Sequence, residues 1–232
     1  DNVSSSIGNT YLSDILSGII DDYTGNIIST YKNREIGYIF QRPEEAFIFE
    51  TVKEELAFGI RKYNYRVDEI DKRMEEALKM VGLPKFYLDR NPFTLSSGEK
   101  EALALATILI LNPKVIIIDD PSISLDNYRC DHLIKLLKKL CNRYKKTIII
   151  FSSNTQFLVR VTDNYVLLKN GKIVLSGNRR NLSDNIGKFK NANVCIPRIT
   201  EFISNANKKY NANLEYTFDI KELMKDIYRN VK

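Results

Sequence analysis

Two adjacent carboxylates, Asp119 and Asp120, follow the apolar run Val115-Ile116-Ile117-Ile118 and precede Pro121. A short β-branched run without polar alternation has the pattern of a parallel strand covered on both faces. Acidic side chains at the carboxyl end of such a strand stand where open α/β sheets receive ligands. Taken alone, Asp-Asp-Pro is equally well a strand-terminating turn. Upstream lies Leu95-Ser96-Ser97-Gly98-Glu99, joined to the strand by a helix expected over Glu99 to Leu111.

In this order of loop, helix, acidic strand and loop, the stretch from Thr94 to Asp126 resembles the ATP-binding cassette (ABC) ATPases. The resemblance places the signature loop at L-S-S-G-E, residues 95–99, where the family usually reads L-S-G-G-Q. It places the Walker B strand at Val115–Asp119 and the D-loop at Ser122–Asp126. It implies a composite ATP site, in which Ser96 and Gly98, with Ser124 and Asp126, face nucleotide held by a second subunit. Asp119 is then expected to hold Mg²⁺ through water. Asp120 stands in the place of the catalytic glutamate. Aspartate is shorter by one C–C bond, about 1.5 Å, and a misplacement of ~1 Å can cost ~10²-fold in rate. Asp120 is expected to keep the charge and lose the position of a water-activating base. Glu99, in place of glutamine, puts a carboxylate near a triphosphate and is expected to weaken that contact.

Residues 1–20 occupy the position of the family's phosphate loop, G-x-x-G-x-G-K-[ST], and its helix. Such a loop cradles phosphates with backbone N–H groups at a helix amino terminus. Counting back from Ser17-Gly18-Ile19-Ile20 puts the glycines at Val3, Ser6 and Gly8, the lysine at Asn9 and the magnesium-binding hydroxyl at Thr10. Only Gly8 and Thr10 match. Asn9 supplies no cation, and a lost charge-assisted hydrogen bond costs roughly 1.5–3 kcal/mol, about ten- to a hundred-fold in affinity. The alternative is a serine-rich helix cap with no nucleotide role. The 232 residues also start where a family member has completed its first strands, which carry an adenine-stacking aromatic residue. Either the sequence is a truncated reading or the adenine platform is absent.

The remaining elements position these groups. Ile27–Tyr31 and Ile36–Phe40 read as strands. Ile36–Pro43, I-G-Y-I-F-Q-R-P, resembles the family's Q-loop segment, so Gln41 is expected to sense metal or attacking water. Glu44–Val52 mixes Phe47, Ile48 and Phe49 with Glu44, Glu45 and Glu50; this is either core or a groove for an Arg-bearing helix of a membrane partner. The following T-V-K-E-E-L-A-F-G narrows the resemblance to the energy-coupling factor (ECF) importers. Val67–Val81 has helical apolar spacing (Ile70, Met74, Ala77, Leu78, Val81) and Gly82 as its C-cap. Tyr128–Tyr144 is an amphipathic helix with Leu133, Leu136, Leu137 and Leu140 inward. Thr147–Phe151 is a second all-apolar strand, and Ser153 replaces the family's switch histidine. A strand, turn and strand follow over Val161–Ile173. Ile196–Phe202 resembles an ECF tail motif, with helices around Phe202–Lys208 and Ile220–Val231.

The fold class expected is α/β: a P-loop NTPase-like parallel sheet with a helical subdomain at about 44–98. The ATPase domain is placed at 1–177 and a subunit-association appendage at 178–232. Such a length, 44% hydrophobic, can bury one substantial core. The net charge of +6 suits an anionic partner or, more simply, a solvated lysine-rich surface. Three cysteines without C-x-x-C spacing argue for reduced thiols, and a single histidine excludes multi-histidine metal sites. The sequence shows neither a spanning run nor a signal-peptide pattern, and the resemblance implies a peripheral location on the cytoplasmic face of the membrane. The resemblance implies ATP and Mg²⁺ as ligands. Its partners would be a second, non-identical ATPase subunit, a transmembrane coupling subunit and a substrate-binding membrane subunit, without nucleic acid. Asn9, Asp120 and Ser153 all serve one composite site, which points to the degenerate half of a heterodimer. A structural or regulatory module that binds no nucleotide is the alternative, and a DNA-repair ABC ATPase is a third.

Overall fold

Three short β-branched runs set the centre of the amino-terminal part. They form β1 (Ile36–Ile39), β2 (Val115–Asp119) and β3 (Thr147–Phe151), all parallel, in the order β1-β2-β3. The register pairs Ile36 with Val115 and Val115 with Thr147. The protein is described by a computed structural model covering residues 3–61, 66–121 and 127–230. For residues 3–9, 43, 44, 67 and 68 it describes the backbone alone. It divides into two compact units, residues 1–152 and residues 153–232.

In the first unit β2 lies in the middle of the sheet and all five of its residues are buried. Full burial of each isoleucine in Ile116-Ile117-Ile118 contributes about 1.5–3 kcal/mol. β3 is just as apolar yet half exposed, because it is the edge of the described sheet. Helix α1 (Val3–Ser17) packs against β2, and α4 (Ser97–Leu109) against β1. Helix α5 (Asn127–Asn142) packs on β3. It buries Ile134, Leu137 and Leu140, whereas Leu133 and Leu136, expected inward, are only half buried. Two helices, α2 (Val52–Arg61) and α3 (Val67–Val81), pack on α4. The inward stripe of α3 is Met74, Ala77, Leu78 and Val81. Gly82 ends it in the left-handed conformation (φ 81°), its N–H reaching the Leu78 and Lys79 carbonyls.

Ile27–Tyr31, read above as a strand, forms none; Ile28 is 98% exposed. The segment makes a local bond instead, the Ser29 hydroxyl accepting the Tyr31 N–H at 3.1 Å. Side-chain capping of this kind competes with strand pairing.

The second unit opens with α6 (Thr155–Val161) and the antiparallel hairpin β4 (Asn164–Lys169)–β5 (Lys172–Asn178). Helices α7 (Ile186–Asn191), α8 (Arg198–Tyr210) and α9 (Ile220–Asn230) follow. Val159 and Leu167 share one core with Leu182, Phe189 and Ile196. The boundary expected at 177/178 therefore falls inside this unit. Ile203, Leu214 and Leu223 form a separate small core. Among the described residues, no helix is long and apolar enough to cross a membrane, and no disulfide joins the three cysteines.

Candidate functional site

Val3–Gly8, expected as a phosphate loop, is helical backbone continuous with the rest of α1. Replacing glycine by Val3 and Ser6 removes residues that break helices, so the chain has less reason to leave the α region here. A continuous helix leaves no loop of successive N–H groups to wrap a triphosphate. The backbone of Gly8 and Asn9 belongs to the same helix; their side chains lie outside the description.

One turn further on, α1 brings Thr10 to the end of β2. The Thr10 hydroxyl donates to Asp119 Oδ2 at 2.6 Å across 109 residues of sequence. Asp119 is 3% exposed. Burial raises its pKa first of all; the Thr10 bond opposes the rise, and the charges of Asp120 and Asp14 add to it. Beside this pair, the Ser13 hydroxyl donates to the Thr10 carbonyl at 2.8 Å, and the Tyr38 hydroxyl to Asp14 Oδ1 at 2.8 Å. Ser13 and Tyr38 meet at 3.0 Å, and burial pushes the Tyr38 phenol up. An adjacent hydroxyl and carboxylate are hard oxygen donors of the kind Mg²⁺ accepts from protein when its remaining ligands are water and phosphate. The Thr10–Asp119 pair fits that ion; the helical Val3–Gly8 segment does not fit the triphosphate.

Asp120 follows in the left-handed region (φ 41°), a conformation that aspartate tolerates better than most residues. Its N–H donates to the Phe151 carbonyl at 2.8 Å, and its Oδ1 accepts the Ser152 hydroxyl at 2.7 Å. The carboxylate is thereby held against the end of β3. Gln41 is exposed just past β1, where it lines a small recess with Ile118, Pro121 and Leu133. Ser153 is exposed in the second unit, just ahead of α6, whose N-cap is Asn154. Ser124 and Asp126 lie outside the described residues.

At the signature segment Ser96 is the N-cap of α4. Glu99, three residues on, turns back: its Oε2 accepts the Ser96 N–H at 2.8 Å and the Ser96 hydroxyl at 2.7 Å. Its other oxygen accepts the Tyr87 hydroxyl at 2.7 Å. These bonds, the Ser96 hydroxyl first, lower the Glu99 pKa to about 2, with the charge of Arg129 helping. Arg129, in the first turn of α5, donates to Ser96 Oγ at 3.3 Å. Its side chain lies over Gly98, where an added Cβ would stand 2.4 Å from Arg129 Cδ and 2.5 Å from Nη1. Only glycine allows that approach without displacing the arginine.

The segment after Gln41 is organised by a residue that sequence reading missed. Glu55, buried in α2, accepts the N–H groups of Ile48 and Phe49, both at 3.0 Å. Phe47 is buried, Phe49 half buried and Ile48 62% exposed. Core and groove, posed above as alternatives, are divided among three consecutive residues. Tyr87, Arg129, Ser13, Asp14 and Tyr38 were likewise not singled out. An acid in the first turn of a helix, as Glu55 is in T-V-K-E-E, was the one signal available for any of them.

The profile of the ABC transporter family matches residues 4–123, just over half the chain. The chain belongs to that family. Its cassette fold and its homology to the ATP-binding subunits of ECF transporters rest on several likenesses. The energy-coupling factor transporter ATP-binding protein EcfA of Methanocaldococcus jannaschii is 33% identical over 199 residues, covering 86% of this chain and 71% of that protein. EcfA2 of Clostridium acetobutylicum is 31% identical over 197 residues, 84% of this chain and 69% of that one. Among solved structures, CbiO1 of Clostridium perfringens, part of the ABC transporter complex CbiONQ, superposes with a TM-score of 0.70 at 28% identity. That likeness covers 85% of this chain and 83% of the other. A dimeric cassette in a post-hydrolysis state, bound to ADP and Pi, gives a TM-score of 0.61 at 26% identity over 75% of this chain and 81% of its own. ABC ATPases as a family bind ATP and use Mg²⁺.

Proposed function

We propose that this ABC subunit serves an ECF-type importer as the degenerate half of an ATPase heterodimer. In this reading it couples nucleotide binding and hydrolysis in a shared interface to membrane transport of a vitamin or metal ion. The observation that carries it is an asymmetry. The stretch that should wrap this chain's own triphosphate runs as helix straight into the Thr10–Asp119 hydrogen bond. The signature it offers to a partner keeps a short hydroxyl at Ser96 and a glycine at Gly98, with Arg129 lying over both.

The partner ATPase supplies an intact phosphate loop, and Ser96 and Gly98 close over its γ-phosphate, with Ser124 and Asp126 beside it. Donors preset at a developing charge stabilise it without reorganisation. On this chain's own side, Thr10, Asp119 and Gln41 hold Mg²⁺ when nucleotide brings it. Asn9, Asp120 and Ser153 leave that site weak in charge, base and switch. Ile48, with the exposed rings of Phe58 and Phe93, offers the membrane-facing coupling subunit an apolar contact flanked by Glu45 and Glu50. The substrate-binding membrane subunit completes the assembly. The subunit works at the cytoplasmic face of the membrane.

The test is nucleotide binding and hydrolysis by the chain alone and in complex with an intact ATPase subunit. Turnover in the complex with little or none in the isolated chain is the expected result. A chain that binds no partner and takes no nucleotide in either setting belongs to the non-catalytic alternative.

A further inference from the structure

We propose that Arg129 contacts the γ-phosphate of the nucleotide held by the partner subunit, supplying a cation at the signature loop. This rests on the heterodimer reading above and adds a residue to it. The guanidinium donates to Ser96 Oγ and covers Gly98. These are the two positions that the signature presents to an incoming phosphate. A phosphate approaching them must either displace Arg129 or bind it, and the charges favour binding. Arginine's planar fork of donors matches phosphate geometry, and such charge-assisted bonds are about twice as strong as neutral ones.

The chemistry of Glu99 gives the same direction. A carboxylate at this place would repel a triphosphate unless its charge were taken up. Its oxygens are turned back onto the Ser96 N–H, the Ser96 hydroxyl and the Tyr87 hydroxyl. The Ser96 hydroxyl is thus committed to Glu99 as donor, so its capacity to donate to a phosphate is reduced. Arg129 restores a donor at the same spot, from a different helix. Its flexible stem reaches Ser96 from the first turn of α5, immediately after the D-loop positions that would also face the partner.

The experiment measures KM for ATP and kcat in the purified complex with the partner ATPase, comparing wild type with Arg129→Gln, Arg129→Lys and Gly98→Asp. Arg129→Gln keeps a polar stem over Gly98 and removes the charge. It should raise KM at least ten-fold, as expected for loss of one charge-assisted bond, with Arg129→Lys in between. The wild-type KM should also rise with ionic strength more steeply than that of Arg129→Gln. Unchanged or lowered KM in Arg129→Gln overturns the proposal, since the arginine is then inert or a latch. Restoration of KM by adding Glu99→Gln to Arg129→Gln also overturns it, by reducing Arg129 to a neutraliser of Glu99. Should Arg129→Gln not assemble, Arg129→Lys alone decides: a KM equal to wild type overturns the contact. Gly98→Asp separates the two levels. If it is silent, or if no ATPase complex forms, the heterodimer reading fails and takes this proposal with it. If it abolishes turnover while Arg129→Gln is silent, only the role of Arg129 falls.

Discussion

The Thr10–Asp119 end and the Ser96–Glu99 end of the first unit use the same atoms, a hydroxyl donating to a carboxylate, in opposite electrostatic settings. Asp119 is buried, and Asp120 and Asp14 add negative charge around it, so its pKa rises. Glu99 is bound by three donors near Arg129, so its pKa falls to about 2. A further anion is disfavoured at the first end without a metal and tolerated at the second. A missing lysine and an acidic signature therefore have different consequences. Asn9 adjoins Thr10 in sequence, and Thr10's carboxylate partner Asp119 already sits among like charges, whereas the Glu99 charge is absorbed locally.

The largest expected effect separates two variants in the assembled complex. Gly98→Asp displaces Arg129 and sets a carboxylate toward the partner's nucleotide, so hydrolysis should fall ten- to a hundred-fold, about 1.4–2.7 kcal/mol in barrier. Asn9→Ala should change little. A silent Gly98→Asp beside a dead Asn9→Ala would make this chain's own loop the working site.

Thr10→Val tests the first end through stability. It leaves Asp119 buried with one donor fewer, and the unfolding free energy should drop by about 1 kcal/mol in urea titrations at pH 7. A drop of that size without any change in the complex's turnover fits the asymmetry. Loss of turnover instead assigns Thr10 to the working site.

The two carboxylates should also titrate in opposite senses. For Glu99 the folded pKa of about 2 lies below the ordinary 4.5. Its stabilisation is therefore present above about 4.5 and drains away as pH falls toward 2. Glu99→Gln should flatten that acid-side loss. Asp119, with its pKa raised, favours the fold when protonated and loses that contribution as pH rises through the raised value. Asp119→Asn should flatten the loss on that side. Unfolding curves from pH 2 to 7, without Mg²⁺, show both slopes; parallel curves for the two variants would contradict the difference in setting.

The smallest expected effect is none. Asn9→Lys in the isolated chain should leave ATP hydrolysis at background, because Val3–Gly8 remains helical and Asp120 remains held to Ser152. Partner-like turnover from that single change would show that one missing charge was the whole defect.

Local features carried much of this protein into its sequence. The apolar run of β2, the spacing of Met74, Ala77, Leu78 and Val81, and the glycine cap after Val81 depend on neighbours within a few residues. The ABC motifs were legible for the same reason, being short and nearly contiguous. Two local readings failed where local alternatives won. Ile27–Tyr31 found no neighbouring strand and folded a serine bond onto itself, and Val3–Gly8, with Val3 and Ser6 where glycines would hold a loop open, runs as helix.

What tertiary packing alone decided is the wiring between distant residues. Thr10 meets Asp119 because α1 lies on β2. Tyr87 and Arg129 meet at the Glu99–Ser96 pair, from elements before and after α4. A carboxylate's charge state depends on how many donors and like charges packing brings within a few ångströms. Residue type and spacing do not encode that number, so two acids that look alike in the sequence, Asp119 and Glu99, end with pKa values displaced in opposite directions.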